Sequence, residues 1–516
     1  MKVRRYLPLL LAALLSGLLT GCMGGGSRED AGGSTFVFGD TTFNAEHEEG
    51  DIHPHHGYSG WACIRYGVGE TLFRCSDSME LEPWLAETWE LEDERTWKIT
   101  LRDGITFSSG RPLDGQAVKA CLEQLVQEHE RAKNDLDIES IAADGQTVTI
   151  VTAEPRPALL SCLCDPYSCM VDLEAGGAEE GIVAGTGPYR AVSLESGEKL
   201  ELVKNEHYWN GEPGFDRVTV LNIDDGDTLT MALQAGEIDG AYGLPYASYP
   251  LFENEDYTFS SCATSRTFFL HMNFSSPVTA DAAVRQAIAM GVNKERFVQE
   301  LLDGCGYMAK GPFPDTFSFG GGAEARTYDP EAAAKLLEEA GWKDTDGDGI
   351  REKDGQKLVI RWLTYPSRPE LPLLAEAAQS DLKAIGMDVR IESTPDHNRL
   401  RQDPEAWDVY ASAMVTAPAA DPAYFFEANC LKDSPANDGG YWNPRLEELA
   451  DEMSRTFDRQ RREELAGQMQ QILLDDDAFV FCSHLQMSLI TRSEVTGLTA
   501  HPCDYYEITA DVRPAE

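Results

Sequence analysis

The sequence predicts a large α/β protein, and three observations carry that prediction. Strand-period and helix-period segments alternate along most of the 516 residues. Hydrophobic residues make up 42% of the chain, with 9 Trp, 18 Tyr and 20 Phe, which suffices for a large packed core and excludes a disordered chain. The length corresponds to roughly three domains of about 150 residues each. No internal repeat of fixed period interrupts the alternation.

The first half reads mainly as strand. Phe36–Gly39 is a short apolar strand, and Thr96–Arg102 alternates like one, with Asp103-Gly104 as a turn and Ile105–Phe107 as the returning strand. Pro112 and Asp114 open a helix over Gln116–His129, whose Val118, Cys121, Leu122 and Leu125 share one face. Further strands follow at Val148–Val151, Tyr189–Leu194, Lys199–Lys204 and Arg217–Ile223, and a helix at Thr228–Ala235 stops at Gly236. The second half is richer in helix: Ala280–Ala289, Lys294–Leu302, Pro330–Ala340, Leu371–Ile385, Pro444–Arg455 and Arg461–Leu473. Strands there are Phe268–Asn273, Leu358–Thr364, Val389–Ser393 and Val409–Ser412.

Charge and the N-terminus bound the setting. Forty-three Lys and Arg face 88 Asp and Glu, a formal net charge of −45, which repels nucleic acid; no basic stripe offsets it. Met1–Arg5 is basic and Leu7–Leu19 is apolar but shorter than the roughly 20 residues of a membrane span. This is the pattern of a signal peptide over residues 1–21. Leu19-Thr20-Gly21-Cys22 places small residues before a Cys, as in a bacterial lipobox, so Cys22 is expected to carry lipid and hold the body at a membrane. Residues 22–35, rich in Gly and Ser, then serve as a tether.

Catalytic patterns are absent. The sequence has no HExxH, no G-x-S-x-G and no Gly-rich phosphate loop, and Ser196-Gly-Glu-Lys199 falls at a turn between two strands. Asp344, Asp346 and Asp348 open like an EF-hand loop, but its twelfth position is Gly355 where a bidentate Glu is required, so an acidic turn is expected rather than calcium. Cys162, Cys164 and Cys169 lack a second zinc knuckle. Beyond Cys22 the cysteines number eleven, which fits free buried thiols better than a disulfide framework. His47, His53, His55 and His56 cluster within ten residues and suit nickel, copper or zinc.

Several stretches resemble family 5 of the bacterial solute-binding proteins, the peptide- and nickel-binding receptors of ABC importers. They are Leu81-Glu-Pro83-Trp84-Leu85-Ala86-Glu87 through Trp97 and Gly104 to Pro112; Gly185-Thr-Gly187-Pro188-Tyr189; Asn205-Glu-His-Tyr208-Trp209; Ala232 through Gly236 to Asp239; Val284-Arg285-Gln286-Ala287; and Tyr328-Asp329-Pro330 through Gly341-Trp342. The resemblance implies a two-lobed binding fold of the class II periplasmic type with an extra subdomain. Lobe I would comprise residues 36–75, 185–262 and 489–516; the subdomain, 76–184; lobe II, 263–488. It implies a monomer without a resident cofactor that acts outside the cytoplasm, closes on a small molecule or peptide, and docks on a permease driven by an ATPase.

In the family's peptide receptors an Asp in a W-x-x-D segment holds the peptide ammonium. By count that position is Pro418 here, and the Trp is missing. The stretches Asp51–Leu72 and Leu363–Pro372 look more like the nickel-type members, which take up nickel wrapped in small organic chelators. A chelate's carboxylates want Arg, its open coordination position wants His, and its flat faces want aromatic rings. The expected site is therefore His55, His56, Tyr58, Trp61, Arg65, Tyr365 and Arg368, with His55 and His56 on the metal. A receptor for di- or oligopeptides is the alternative.

Overall fold

A computed structural model describes residues 33–43, 50–177, 180–368 and 370–516. Cys22, the signal peptide, most of the tether and His47 lie outside the described residues. The strands that organise the site are β1 (Thr35–Asp40), β2 (Ala86–Asp93), β3 (Thr96–Leu101), β4 (Ile138–Asp144), β5 (Thr147–Thr152), β6 (Tyr189–Glu195), β7 (Lys199–Lys204), β8 (Arg217–Asn222), β9 (Gly240–Tyr242), β10 (Tyr257–Met272), β11 (Val359–Thr364), β12 (Asp388–Ser393), β13 (Val409–Val415) and β14 (Phe479–Arg492). The helices used below are α1 (Ser59–Arg65), α2 (Gly115–Glu128), α3 (Gly226–Ala235), α4 (Glu370–Lys383) and α5 (Arg459–Asp475).

One mixed sheet joins both lobes in the order β12-β11-β13-β10-β14-β9-β1-β8-β7-β6. Strands β10 and β14 are the long members, 16 and 14 residues, and they run antiparallel from one lobe into the other. The boundaries expected at 262/263 and 488/489 fall inside these two strands. Their pairing slips between Ala263 and Thr267 of β10, leaving a bulge at Thr264–Arg266. A separate antiparallel sheet, β2-β3-β5-β4, carries α2 on one face and forms the subdomain. Its Trp97 ring comes within 5.9 Å of Phe457, in the loop before α5, so the subdomain also packs on lobe II.

Local chemistry explains the boundaries that the sequence announces. Asp114 accepts the Ala117 N–H at 2.9 Å and caps α2. Asp225 caps α3 in the same way, and Gly236 closes it in the left-handed region at φ 70°. Gly197 turns β6 into β7 at φ 76°, which makes the Ser196–Lys199 segment a hairpin turn.

Two expected elements differ. Ile105–Phe107 is not a strand, because β3 already bonds β2 on one side and β5 on the other and has no free edge. Lys294–Leu302 is not one α-helix: a single turn, Lys294–Arg296, passes into a π turn, Phe297–Leu301. The wider turn stacks Phe297 over Leu302 and buries both.

The acidic loop forms a tight turn on the surface. Asp344 accepts the N–H groups of Gly347 and Gly349 at 2.7 and 3.0 Å, and Lys357 pairs with both Asp346 and Asp348. Although the three carboxylates lie within 4.8 Å of one another, an ammonium already sits against two of them.

Candidate functional site

The first predicted stretch folds inward. Its loop 51–56 lies against α2, and the stacked rings of His53 and His56, 4.6 Å apart, build a small imidazole cluster there. His55 is 1% exposed, with Nε2 3.6 Å from the Cys121 sulfur. Burial, helped by the neighbouring imidazoles, lowers its pKa to about 3, so it stays neutral. His56 bonds Asp51 at 2.7 Å through Nδ1 and faces Glu128 at 3.8 Å through Nε2. His55 and His56, expected on the metal in one site with Tyr365 and Arg368, take their ring partners instead from their own loop and from α2.

Arg65, at the end of α1, is also corrected from ligand-binding to structural. Its guanidinium contacts Asp504 at 2.8 Å, Glu507 at 3.0 Å and Asp40 at 3.8 Å, and it donates to Thr42 at 3.0 Å. The C-terminal segment that supplies Asp504 and Glu507 is tied down by the Ile508 N–H on the Arg65 carbonyl. Three carboxyls share one buried cation, and burial raises the pKa of Asp40 and of Glu507 despite it. No N–H of Arg65 points to open space, since its side chain is 2% exposed.

Between these groups, Trp61 stands edge-on to Tyr505 at 4.8 Å, and the Arg65 guanidinium lies 5.5 Å from its ring. Trp61 and the exposed Tyr58 line a hollow of about 280 Å³, walled opposite by His129, Arg131 and Tyr167 of the subdomain. Arg131 pairs with Asp135 and Asp165, and its guanidinium lies 5.6 Å from the Tyr424 ring of lobe II. This hollow therefore lies between lobe I and the subdomain, and Arg131 links its wall to lobe II.

The second predicted stretch behaves differently. Tyr365 is 8% exposed; its hydroxyl donates to the Ala413 carbonyl and accepts the Ala413 N–H, and its ring stacks on His397 at 4.1 Å. It braces the wall with a hydroxyl already spent, which corrects its expected role as a direct contact. Arg368 is half-buried, and among the described residues its guanidinium has neither a hydrogen bond nor an ion pair, not even with Glu370.

Facing Arg368 is a residue the sequence reading passed over. Arg266 sits on the β10 bulge, half-buried, again with no side-chain partner among the described residues. Burial and the like charge of Arg368 lower its pKa, while Asp504, Tyr242 and Tyr365 are the other groups whose fields reach it. Tyr242, at the end of β9, lies 5.2 Å from the Arg65 guanidinium. Tyr242 and Asp504, both partners of Arg65, also act electrostatically on Arg266. The signal for Arg266 was present: an Arg immediately before the apolar run Thr267–Met272 must either be paired or face a cavity.

Two guanidiniums, Arg266 and Arg368, thus have no side-chain partner among the described residues of this acidic, two-lobed molecule. A family model described as bacterial extracellular solute-binding proteins, family 5, matches residues 80–436. The chain belongs to that family. Its members bind small ligands or peptides outside the cytoplasm and work with an ABC permease and its ATPase; this protein is a binding receptor and not an enzyme. The nickel-binding protein NikA of Staphylococcus aureus is 27% identical over 86% of this chain and 89% of its own length. Its structure in complex with Ni(L-His)₂ superposes at a TM-score of 0.75, with 25% identity, over 94% of this chain and 100% of that one. A nickel ABC transporter structure from Bacillus halodurans aligns at a TM-score of 0.82, 31% identical, covering 93% and 99%. The probable D,D-dipeptide-binding protein DdpA of Escherichia coli is 28% identical over 82% of this chain and 83% of its own.

Proposed function

We propose that this receptor closes its lobes on an anionic nickel chelate and delivers it to an ABC permease. The observation that carries this is that Arg266, on the β10 bulge, and Arg368 have no side-chain partner among the described residues of a chain with net charge −45. Carboxylates of a chelator would take both guanidiniums in charge-assisted hydrogen bonds, stronger still once closure expels water. Tyr242, whose field reaches Arg266, would supply a flat face. The ligand contacts proposed are thus Arg266 and Arg368, with Tyr242; the metal would be held by the chelator and not by His55 or His56.

A peptide receptor is disfavoured by the segment after β13. Pro418 offers no carboxylate, its carbonyl accepts the Tyr505 hydroxyl at 2.5 Å, and the nearby Asp421 is held by Arg462 at 2.6 Å. A buried ammonium would find no counter-charge there.

We further place the mature protein on the membrane through lipid on Cys22, as a monomer, with no resident cofactor and no calcium in the Asp344–Asp348 turn. Membrane retention of the full chain, lost on Cys22→Ser, checks the anchor.

The test of function is thermal unfolding of residues 28–516 with Ni²⁺, with Ni²⁺ plus L-histidine, with L-histidine alone, and with di- and tripeptides. A ligand bound only by the folded state at a hundred times Kd adds about 2.7 kcal/mol. The expected result is a rise that needs Ni²⁺ and chelator together. A rise with metal-free peptides overturns the nickel reading in favour of peptide capture.

A further inference from the structure

We infer that Cys63 and Cys169 are the sites of a disulfide that the exported protein acquires, stapling lobe I to the subdomain. The bond forms while the chain folds, by exchange with an external disulfide such as oxidised glutathione.

Among the described residues all eleven cysteines are free thiols. Two of them are brought together by a matched pair of close backbone approaches. Helix α1 lies on the short turn Pro166–Ser168, where a Cβ on Gly60 would stand 2.7 Å from the Pro166 carbonyl carbon. Three residues on, the same face of α1 presents Cys63, and three residues on along the facing segment stands Cys169. Both cysteines are tied to one stretch of chain. The Gly69 N–H donates to the Cys63 carbonyl at 3.0 Å, and the Met170 N–H donates to the Glu70 carbonyl at 2.8 Å. A Cβ on Gly69 would stand 2.6 Å from the Cys63 sulfur and 3.3 Å from the Cys169 sulfur, so the two sulfurs flank one point that any larger residue would fill. The third thiol nearby, Cys121 of α2, is turned elsewhere: it donates to the Cys169 carbonyl at 3.7 Å and lies 3.6 Å from His55 Nε2.

The chemistry is thiol–disulfide exchange and needs no further oxidant. One cysteine thiolate attacks a sulfur of the external disulfide and expels the other half as a thiolate. The second cysteine thiolate then attacks the mixed disulfide, closes the protein bond and expels the remaining half. The two protons that the cysteines give up end on the two thiols released, and the donor takes the two electrons that the cysteines lose. Disulfides of this kind persist outside the cytoplasm. Both side chains are fully buried once the protein is folded, and burial, with the neighbouring Cys63 thiol, pushes the Cys169 thiol up. A thiol that is rarely ionised and out of reach does not exchange, so the bond closes during folding and is afterwards shielded from reduction. It shuts a loop containing α2 and the whole β2-β3-β5-β4 sheet, and so long a closure restricts the unfolded chain strongly. The competing account is that the two cysteines serve as small apolar core side chains. Packing alone makes no covalent link, and this difference is what the experiment reads.

The full chain, in detergent, is unfolded in urea with dithiothreitol and refolded in buffer containing either reduced or oxidised glutathione. Free thiols are capped with N-ethylmaleimide, and the unreduced protein is digested and mapped by fragmentation mass spectrometry. The expected result from the oxidised buffer is the peptide carrying Cys63 joined to the peptide carrying Cys169, as the majority form and about 2 Da lighter than the two apart. The reduced buffer yields no such peptide, and dithiothreitol lowers the thermal midpoint of the oxidised protein by several degrees. Cys63→Ala and Cys169→Ala each abolish the joined peptide and most of that fall, whereas Cys430→Ala, at a buried cysteine of lobe II, leaves both unchanged. Cys63 and Cys169 found capped after oxidised refolding, or either of them joined to Cys121, overturns the inference. If a variant fails to fold, the wild-type map still decides.

Discussion

The segments 51–72 and 363–372 offer similar chemistry and end in opposite situations. Each carries an arginine beside aromatic rings, yet Arg65 is enclosed by three carboxyls while Arg368 has none among the described residues. The difference comes from the partner segments: the C-terminal return brings Asp504 and Glu507 onto Arg65, and no acidic group among the described residues pairs with Arg368. The type of side chain sets what it can bind, but counter-charges far away in sequence decide whether it is already bound.

That contrast can be broken in three ways. The largest effect is expected from Arg65→Met, which strands Asp504, Glu507 and Asp40 without their cation. Loss of one partner from a buried ion cluster costs about 3–5 kcal/mol, read as a lower urea midpoint. Arg266→Ala and Arg368→Ala should do the reverse, weakening the Ni²⁺–histidine complex about 10- to 100-fold while the unliganded midpoint stays within about 0.5 kcal/mol of wild type. Equal damage to folding from Arg65 and Arg368 variants would erase the distinction.

The smallest effect concerns His55. Its folded pKa, about 3, lies below the ordinary 6.5, so the unfolded chain takes up a proton that the folded chain refuses. Stability from this residue is therefore present above pH 6.5 and is lost as pH falls toward 3. Between pH 7 and pH 5, wild type should lose about 1–2 kcal/mol more than His55→Leu in urea titrations. Some fall persists in the variant, because His271 and His484 are buried with the same lowered pKa of about 3.

Much of the fold was legible because it rests on local chemistry. Asp114, Asp225, Gly236 and the Asp329-Pro330 pair announce helix ends by capping rules that operate within a few residues. Strand β14 was missed: buried at nearly every position, Phe479–Ile490 shows no two-residue alternation and carries polar Ser483, His484 and Gln486 inside the run. The amino half of β10 was missed for a similar reason, since Ser261 to Arg266 resembles a loop until β13 and β14 pair with it. The site was half legible. Arg368 could be named from its neighbours, whereas Arg65 required knowledge of residues 439 and 442 positions later. Arg266 required knowledge of the bulge.

The bulge has a mechanical consequence. It seats Arg266 within reach of the like charge of Arg368, both in lobe II, so the backbone of β10 and the loop before α4 hold two guanidiniums in each other's field. An anion bridging them would turn that repulsion into a grip, and losing the anion would restore it.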